Sequence, residues 1–283
     1  MPNISVIDSH VHLWDPIRHS IPWITDLPAL NRSFGLAEFD EARADVVVEG
    51  MVFLECDVAT SDAMAEVDWV AGLARADGRL KAIVASVPLE KGDAVTAELA
   101  VLAEYGKVRG VRRILQGEAD PSYCLRPEFL SGVRKLSDFD LSFDICVNHT
   151  QLPNVIPFAQ QCPDVRMVLD HIGKPDIRGG GLEPWASHIR ELARLPNVWL
   201  KMSGVATEAD HQTWTRDQLK PYILAAIEAF GFERTMFGGD WPVATLAIGY
   251  GAWIDTLDWA IGSLSDCEQQ MLYRDTAVSF YRI

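Results

Sequence analysis

The chain has no apolar run approaching the ~18–20 residues that a membrane helix needs, so no span is expected. Positive charge is scarce: 25 Lys and Arg stand against 40 Asp and Glu, a formal net charge of −15. No basic cluster is visible, which excludes nucleic acid as a partner, because phosphate binding needs a concentrated positive face. An anionic ligand would have to be met by a local arginine pocket. The five cysteines (Cys56, Cys124, Cys146, Cys162 and Cys267) are odd in number, scattered and without a C-x-x-C. That argues for free thiols in a reducing compartment. The first 17 residues contain no Lys or Arg, so no secretory leader is read there and a cytoplasmic location is the expectation. Two glycine signatures are missing as well. No G-x-G-x-x-G follows the first strand, which counts against a doubly wound dinucleotide fold. No G-x-S-x-G elbow is present, so no covalent intermediate is needed; no organic cofactor is expected.

What is present is the composition of a folded enzyme, 48% hydrophobic and 23% charged over 283 residues. Eight short apolar runs read as strands: residues 4–8, 49–55, 80–87, 108–114, 141–147, 165–171, 197–203 and 234–239. Between them, helical spacing covers 61–76, 93–105, 127–136, 152–162, 183–195, 215–230 and 250–261, with a last helix over 276–282. Eight βα units over this length predict a single-domain (β/α)8 TIM-like barrel, residues 1–283. The connection 13–35, rich in Pro and Trp, is longer than a barrel turn needs, and long ordered loops are usually functional.

The apolar runs end in ionisable groups. In "VIDSHVHLWD", alternation predicts Val6, Asp8, His10 and His12 on the inward face and Ile7 and Val11 on the other. Glu55 and Asp57, Arg112 and Arg113, His149, Asp170 and His171, Lys201 and Ser203, and Asp240 close the other runs. A polar cluster at the C-terminal mouth is where barrel enzymes do chemistry. Two neutral imidazoles and a carboxylate suit zinc or a similar divalent ion. His10, His12, Asp240 and Glu55 are the candidate ligands. The alternative for the His pair is a solvated strand face, and for Asp240 a turn residue. Only one of Arg112 and Arg113 can face inward, and parity does not say which. Trp23 is either core or a platform for a sugar ring. Lys174 either caps a loop or meets substrate. His19, His188 and His211 fall in loop or helix patterns and are expected on the surface.

Five segments together carry a resemblance: "IDSHVHLWDP", "GVRRILQG", "LDHIGKPDI", "LKMSG" and "FGGDWPV". In this order they resemble the amidohydrolase superfamily, specifically its type-2, amidohydrolase-related branch of lactonases that act on sugar lactones and on pyrone dicarboxylates. The resemblance implies a distorted (β/α)8 barrel that opens an aldonolactone to the sugar acid. It implies Asp240 as the base that activates water, with His10, His12 and His171 around the reacting carbonyl. Arg112 or Arg113 would hold the substrate. Apart from the resemblance, Trp23, His149, Lys174 and Trp241 are candidate substrate contacts from their places in the sequence. Binuclear members carry a lysine at the end of the fourth strand; "VRRILQG" has none, so at most one divalent metal is expected, and the branch includes metal-independent members. The rival readings are hydrolysis of an anionic pyrone dicarboxylate, a metal-dependent decarboxylation, and a non-catalytic barrel that binds a sugar acid.

Overall fold

Short strands separated by whole helices can pair only in parallel, because each crossover returns the chain to the same edge of the sheet. The computed structural model, which describes residues 4–283, has this arrangement. Strands β1 (Val6–Val11), β2 (Val48–Leu54), β3 (Leu80–Ser86), β4 (Val108–Arg112), β5 (Ser142–Ile145), β6 (Met167–Leu169), β7 (Val198–Met202) and β8 (Thr235–Phe237) pair parallel in sequence order. Around them lie α1 (Leu36–Arg43), α2 (Ala63–Ala76), α3 (Thr96–Ala103), α4 (Pro127–Arg134), α5 (Leu152–Gln161), α6 (Trp185–Leu192), α7 (Arg216–Phe230) and α8 (Tyr250–Ile261). Helices α9 (Asp266–Gln270) and α10 (Thr276–Tyr281) end the chain. The eight expected strands are all present. Helix α1 went unread because its sequence is polar and only Phe39 is buried on it. Among the described residues no helix is long and apolar enough to cross a membrane.

The barrel is distorted at its seam. β8 stops at Phe237, and closure onto β1 is made just beyond it. The Asp240 N–H donates to the His10 carbonyl and the His12 N–H to the Trp241 carbonyl, both at 2.8 Å. The seam is thus pinned at the residues expected to do chemistry. Inside the barrel, Ile7, Val52, Leu54, Ala82, Val84, Val168 and Met236 pack with Ala277, Phe280 and Tyr281 of α10, which plugs the interior. A second and larger apolar shell lies between strands and helices.

The facing of β1 differs from simple alternation. Ile7 packs in the barrel interior, whereas Val6 and Val11 belong to the outer shell. Asp8 points outward too, accepting from the Tyr250 hydroxyl of α8 at 2.9 Å. A register shift against β2 between Asp8 and Val11 resets the phase, and His10 and His12 then face in. Bulges of this kind commonly re-aim side chains beside active sites.

Helix α2 is tied to the end of β2 by a carboxyl: Glu66 Oε1 accepts the Cys56 N–H at 3.0 Å. Burial, and then the charge of Glu55, push Glu66 from 4.5 up to about 8. Between those values the folded chain holds a proton that the unfolded chain releases, so this group's stabilisation is complete below about pH 4.5 and is lost as pH rises toward 8. We expect Glu66→Gln to flatten the decline of the urea midpoint between pH 5 and about 8; an unchanged slope would show that Glu66 is ionised throughout.

Candidate active site

The cluster is assembled from both ends of the chain. His10 Nε2 and His12 Nε2 lie 3.2 Å apart, and each is 3.6 Å from Asp240 Oδ1. His12 Nδ1 donates to the Leu54 carbonyl at 2.9 Å, which leaves its Nε2 lone pair directed at the cluster. His10 Nδ1 sits between Lys201 Nζ and Asp170 Oδ1, each at 3.4 Å. Those neighbours serve either tautomer. Lys201 can donate to Nδ1 while the Nε2–H bridges to His12. With a cation at Nε2, the proton moves to Nδ1 and Asp170 accepts it, the usual arrangement behind a metal-bound imidazole. Burial, followed by the charges of Lys201, His12 and Arg112, holds the His10 imidazole far below its usual pKa and therefore neutral.

The donor set fits a single divalent ion. Bonds of ~2.0–2.1 Å to a tetrahedral ion place its ligands about 3.3–3.5 Å apart. The observed separations of 3.2, 3.6 and 3.6 Å bracket that value. His10, His12 and Asp240, all buried, are the residues that would hold it.

Backbone strain and glycines position the remaining groups. The chain leaves β6 through four consecutive left-handed residues, His171, Ile172, Gly173 and Lys174. For residues with a Cβ this costs of order 1 kcal/mol each. The turn sets His171 Nδ1 4.0 Å from Asp240 Oδ2 and 2.9 Å from Ser203 Oγ. Burial, then the proximity of His10, keeps His171 neutral. Its Nε2 has no protein partner among the described residues. Asp240 is left-handed as well, at φ 52°. A Cβ on Gly204 would lie 2.6 Å from His171 Nδ1, and one on Gly238 2.8 Å from His10 Cβ, so both glycines let the chain approach the imidazoles.

Above the cluster opens a cleft of about 310 Å³, at the small end of the ~300–1,000 Å³ range for small-molecule sites. Buried His12, Arg112, His171 and Asp240 line it, with the more exposed Trp23, Asp57, Gln116, Lys174, Glu208 and His211. Of the two arginines, Arg112 faces inward. Its Nε donates to Glu55 Oε1 at 2.6 Å, its Nη2 to the Glu55 carbonyl at 2.6 Å, and its Nη1 lies 3.3 Å from Asp170 Oδ2. Arg113 falls past the end of β4, turns to Glu118 and Glu90, and does not line this cleft.

Several expected residues stand elsewhere. Glu55 is buried, but its carboxylate is taken by Arg112 and by the Asp57 N–H, so it is not among the converging ligand atoms. Trp241 is buried against Phe34 and Phe39, at ring distances of 5.5 and 5.3 Å, and is core, not cleft wall. His149 Nδ1 donates to the Lys174 carbonyl at 3.1 Å, supporting the left-handed turn without lining the cleft. Lys174 does line it and lies 3.6 Å from Glu208. Trp23 lines it with its indole N–H on the Cys56 carbonyl at 2.8 Å. His19 is buried against Trp69 instead of exposed. His211 is exposed as expected, yet it belongs to the cleft. Thr207, Glu208 and Gln116 carried no signal: Gln116 sits in a loop, and Thr207 and Glu208 in a single 3-10 turn (Ala206–Glu208), neither of which has a periodicity to read. Asp144 and Lys201 did carry one: each is a charge within a buried strand, and they pair at 2.5 Å beneath His10.

The chain is similar to known proteins over nearly its whole length. L-fucono-1,5-lactonase of Burkholderia ambifaria is 33% identical, across 98% of this chain and 95% of that protein. L-rhamnono-gamma-lactonase of Scheffersomyces stipitis is 23% identical, across 96% and 97%. The crystal structure of a zinc-bound amidohydrolase from Burkholderia multivorans superposes with a TM-score of 0.88 at 31% identity, covering 99% of this chain and all of that one. The amidohydrolase family model matches residues 7–283, and the chain belongs to that family.

Proposed function

We propose that the protein hydrolyses a neutral sugar lactone to the free sugar acid. The observation that carries the substrate class is the pairing of charge in the cleft. Arg112 is engaged by Glu55 and Asp170, and Lys174 by Glu208. Arg113 turns away, while Arg178 is largely exposed beside Asp210. A dicarboxylate needs uncommitted cations to pair with, whereas a polyhydroxylated neutral ring needs acceptors and donors such as Asp57, Gln116, Glu208 and His211. The similarity to lactonases named for L-fuconolactone and L-rhamnonolactone supports the same class.

In this reading the lactone carbonyl enters over the cluster and Asp240 takes the proton of the attacking water. His171 stands beside Asp240, with its Nε2 available to hydrogen-bond the carbonyl oxygen or the departing ring oxygen. His10 and His12 present lone pairs or bond each other, so neither is free to donate to an oxyanion. A divalent ion held by His10, His12 and Asp240 supplies, when bound, the positive charge that polarises the carbonyl and acidifies water. The ring alkoxide leaves and takes a proton from water or from Asp240.

A pH-indicator assay of aldonolactones beside 2-pyrone-4,6-dicarboxylate, with and without chelator, tests the reading. We expect acid release from an aldonolactone and none from the dicarboxylate. We also expect loss of rate on chelation, with recovery on adding zinc. Turnover of the dicarboxylate alone would overturn the substrate class.

A further inference from the structure

Asp57 is held in the cleft wall in a way that backbone needs do not explain. It is left-handed, at φ 52°, three residues beyond the last residue of β2. Aspartate tolerates that region better than most residues, usually because its carboxylate folds back onto a nearby N–H. The chain's other left-handed aspartates, Asp140 and Asp240, make no such bond, but Asp140 is paired with Arg166 and Arg282, and Asp240 lies among the imidazoles of the cluster. The Asp57 carboxylate makes no such bond and has no hydrogen-bond or ion-pair partner among the described residues. It lines the same cleft as Asp240 and Trp23.

The residue is also held firmly. Its N–H donates to Glu55 Oε2 at 2.7 Å, and Glu55 is clamped by Arg112. One residue before it, the Cys56 carbonyl anchors the Trp23 indole. A strained, partnerless acid is thus fixed beside an aromatic face, over a catalytic floor. Although Asp57 is exposed to the cleft, partial desolvation there and the neighbouring Glu55 raise its carboxyl above the ordinary range, so its ionised form gains when a ligand donates hydrogen bonds to it.

We infer that Asp57 is a specificity-determining residue: it accepts hydrogen bonds from ring hydroxyls of the substrate, whose C–H face lies on Trp23. The inference rests on the lactone reading and deepens it. A protein acceptor built for a substrate hydroxyl discriminates strongly against the analogue that lacks it.

The test compares a hydroxylated six-membered aldonolactone with unsubstituted δ-valerolactone, the latter read as a substrate or as an inhibitor of the former. For Asp57→Asn and Asp57→Ala, the preference for the hydroxylated ring (the ratio of kcat/KM, or of KM to Ki) should fall roughly 10–100-fold, the size of one lost charged hydrogen bond. The loss should appear mainly in KM, because the contact exists before the chemical step. A ratio within twofold of wild type for both variants overturns the inference while leaving the lactonase reading intact. Failure of the wild-type protein to turn over any lactone overturns both.

Discussion

Asp240→Asn is expected to lower kcat on the aldonolactone by ~10³-fold or more with the fold intact. Asparagine has the shape of aspartate and tolerates the left-handed backbone that Asp240 adopts. The seam hydrogen bond from the residue 240 N–H to the His10 carbonyl is a backbone bond and survives the change. What disappears is the capacity to accept a proton, together with the anionic oxygen that would help hold a divalent ion, so the loss is read at saturating zinc. A loss in kcat with little change in melting temperature therefore assigns Asp240 to chemistry. Equal turnover in both proteins would place the base elsewhere. A barrel that only binds a sugar acid would retain its affinity in the variant and have no turnover to lose.

Lys201→Met should be the most damaging single change to stability, by about 3–5 kcal/mol, the usual cost of removing one partner from a buried charge pair. Lys201 is fully buried, and its ammonium lies 2.5 Å from Asp144 Oδ2 and 3.1 Å from Asp170 Oδ1. Tyr281 of the plugging helix donates to the same Asp144 oxygen at 2.6 Å. Burial pushes the Asp144 carboxyl up even beside the lysine. Burial also acts to raise Asp170, but Lys201, His171 and Arg112 outweigh it and hold that carboxyl below its ordinary value. Without the ammonium, two carboxylates share a dry interior, and His10 loses a neighbour at Nδ1. Melting should fall by roughly 10 °C or more. Adding Asp144→Asn should recover part of the loss, because the two positions are coupled through one contact. Additive losses would show that the pair is not the source.

The fold was legible because the strands are short apolar runs and most of the helices between them keep an apolar period. Helix α1 escaped since only Phe39 is buried on it. His10, His12, His171 and Asp240 stood out as ionisable groups ending apolar runs, and the structure brings those four together. The facing of Val6, Ile7 and Asp8 could not be read, because alternation assumes an unbroken register and β1 has a shift. Arg112 and Arg113 could not be separated before the end of β4 was known. Once the strand ends at Arg112, only that residue lies on the inward phase. Asp57 carried the same signal, as an ionisable group closing an apolar run, whereas the cleft walls from Gln116 and from residues 207–211 are set by tertiary position, for which neither period nor turn chemistry gives a signal.

The central claim, that water activated by Asp240 attacks the lactone carbonyl, is tested most directly by a single turnover in ¹⁸O-water with enzyme in excess. The account predicts that the first sugar acid formed carries the label in its carboxylate and that the peptide containing Asp240 stays unlabelled. An unlabelled first product, with ¹⁸O appearing in Asp240, would mean that the carboxylate itself attacks and that the role assigned to it is mistaken.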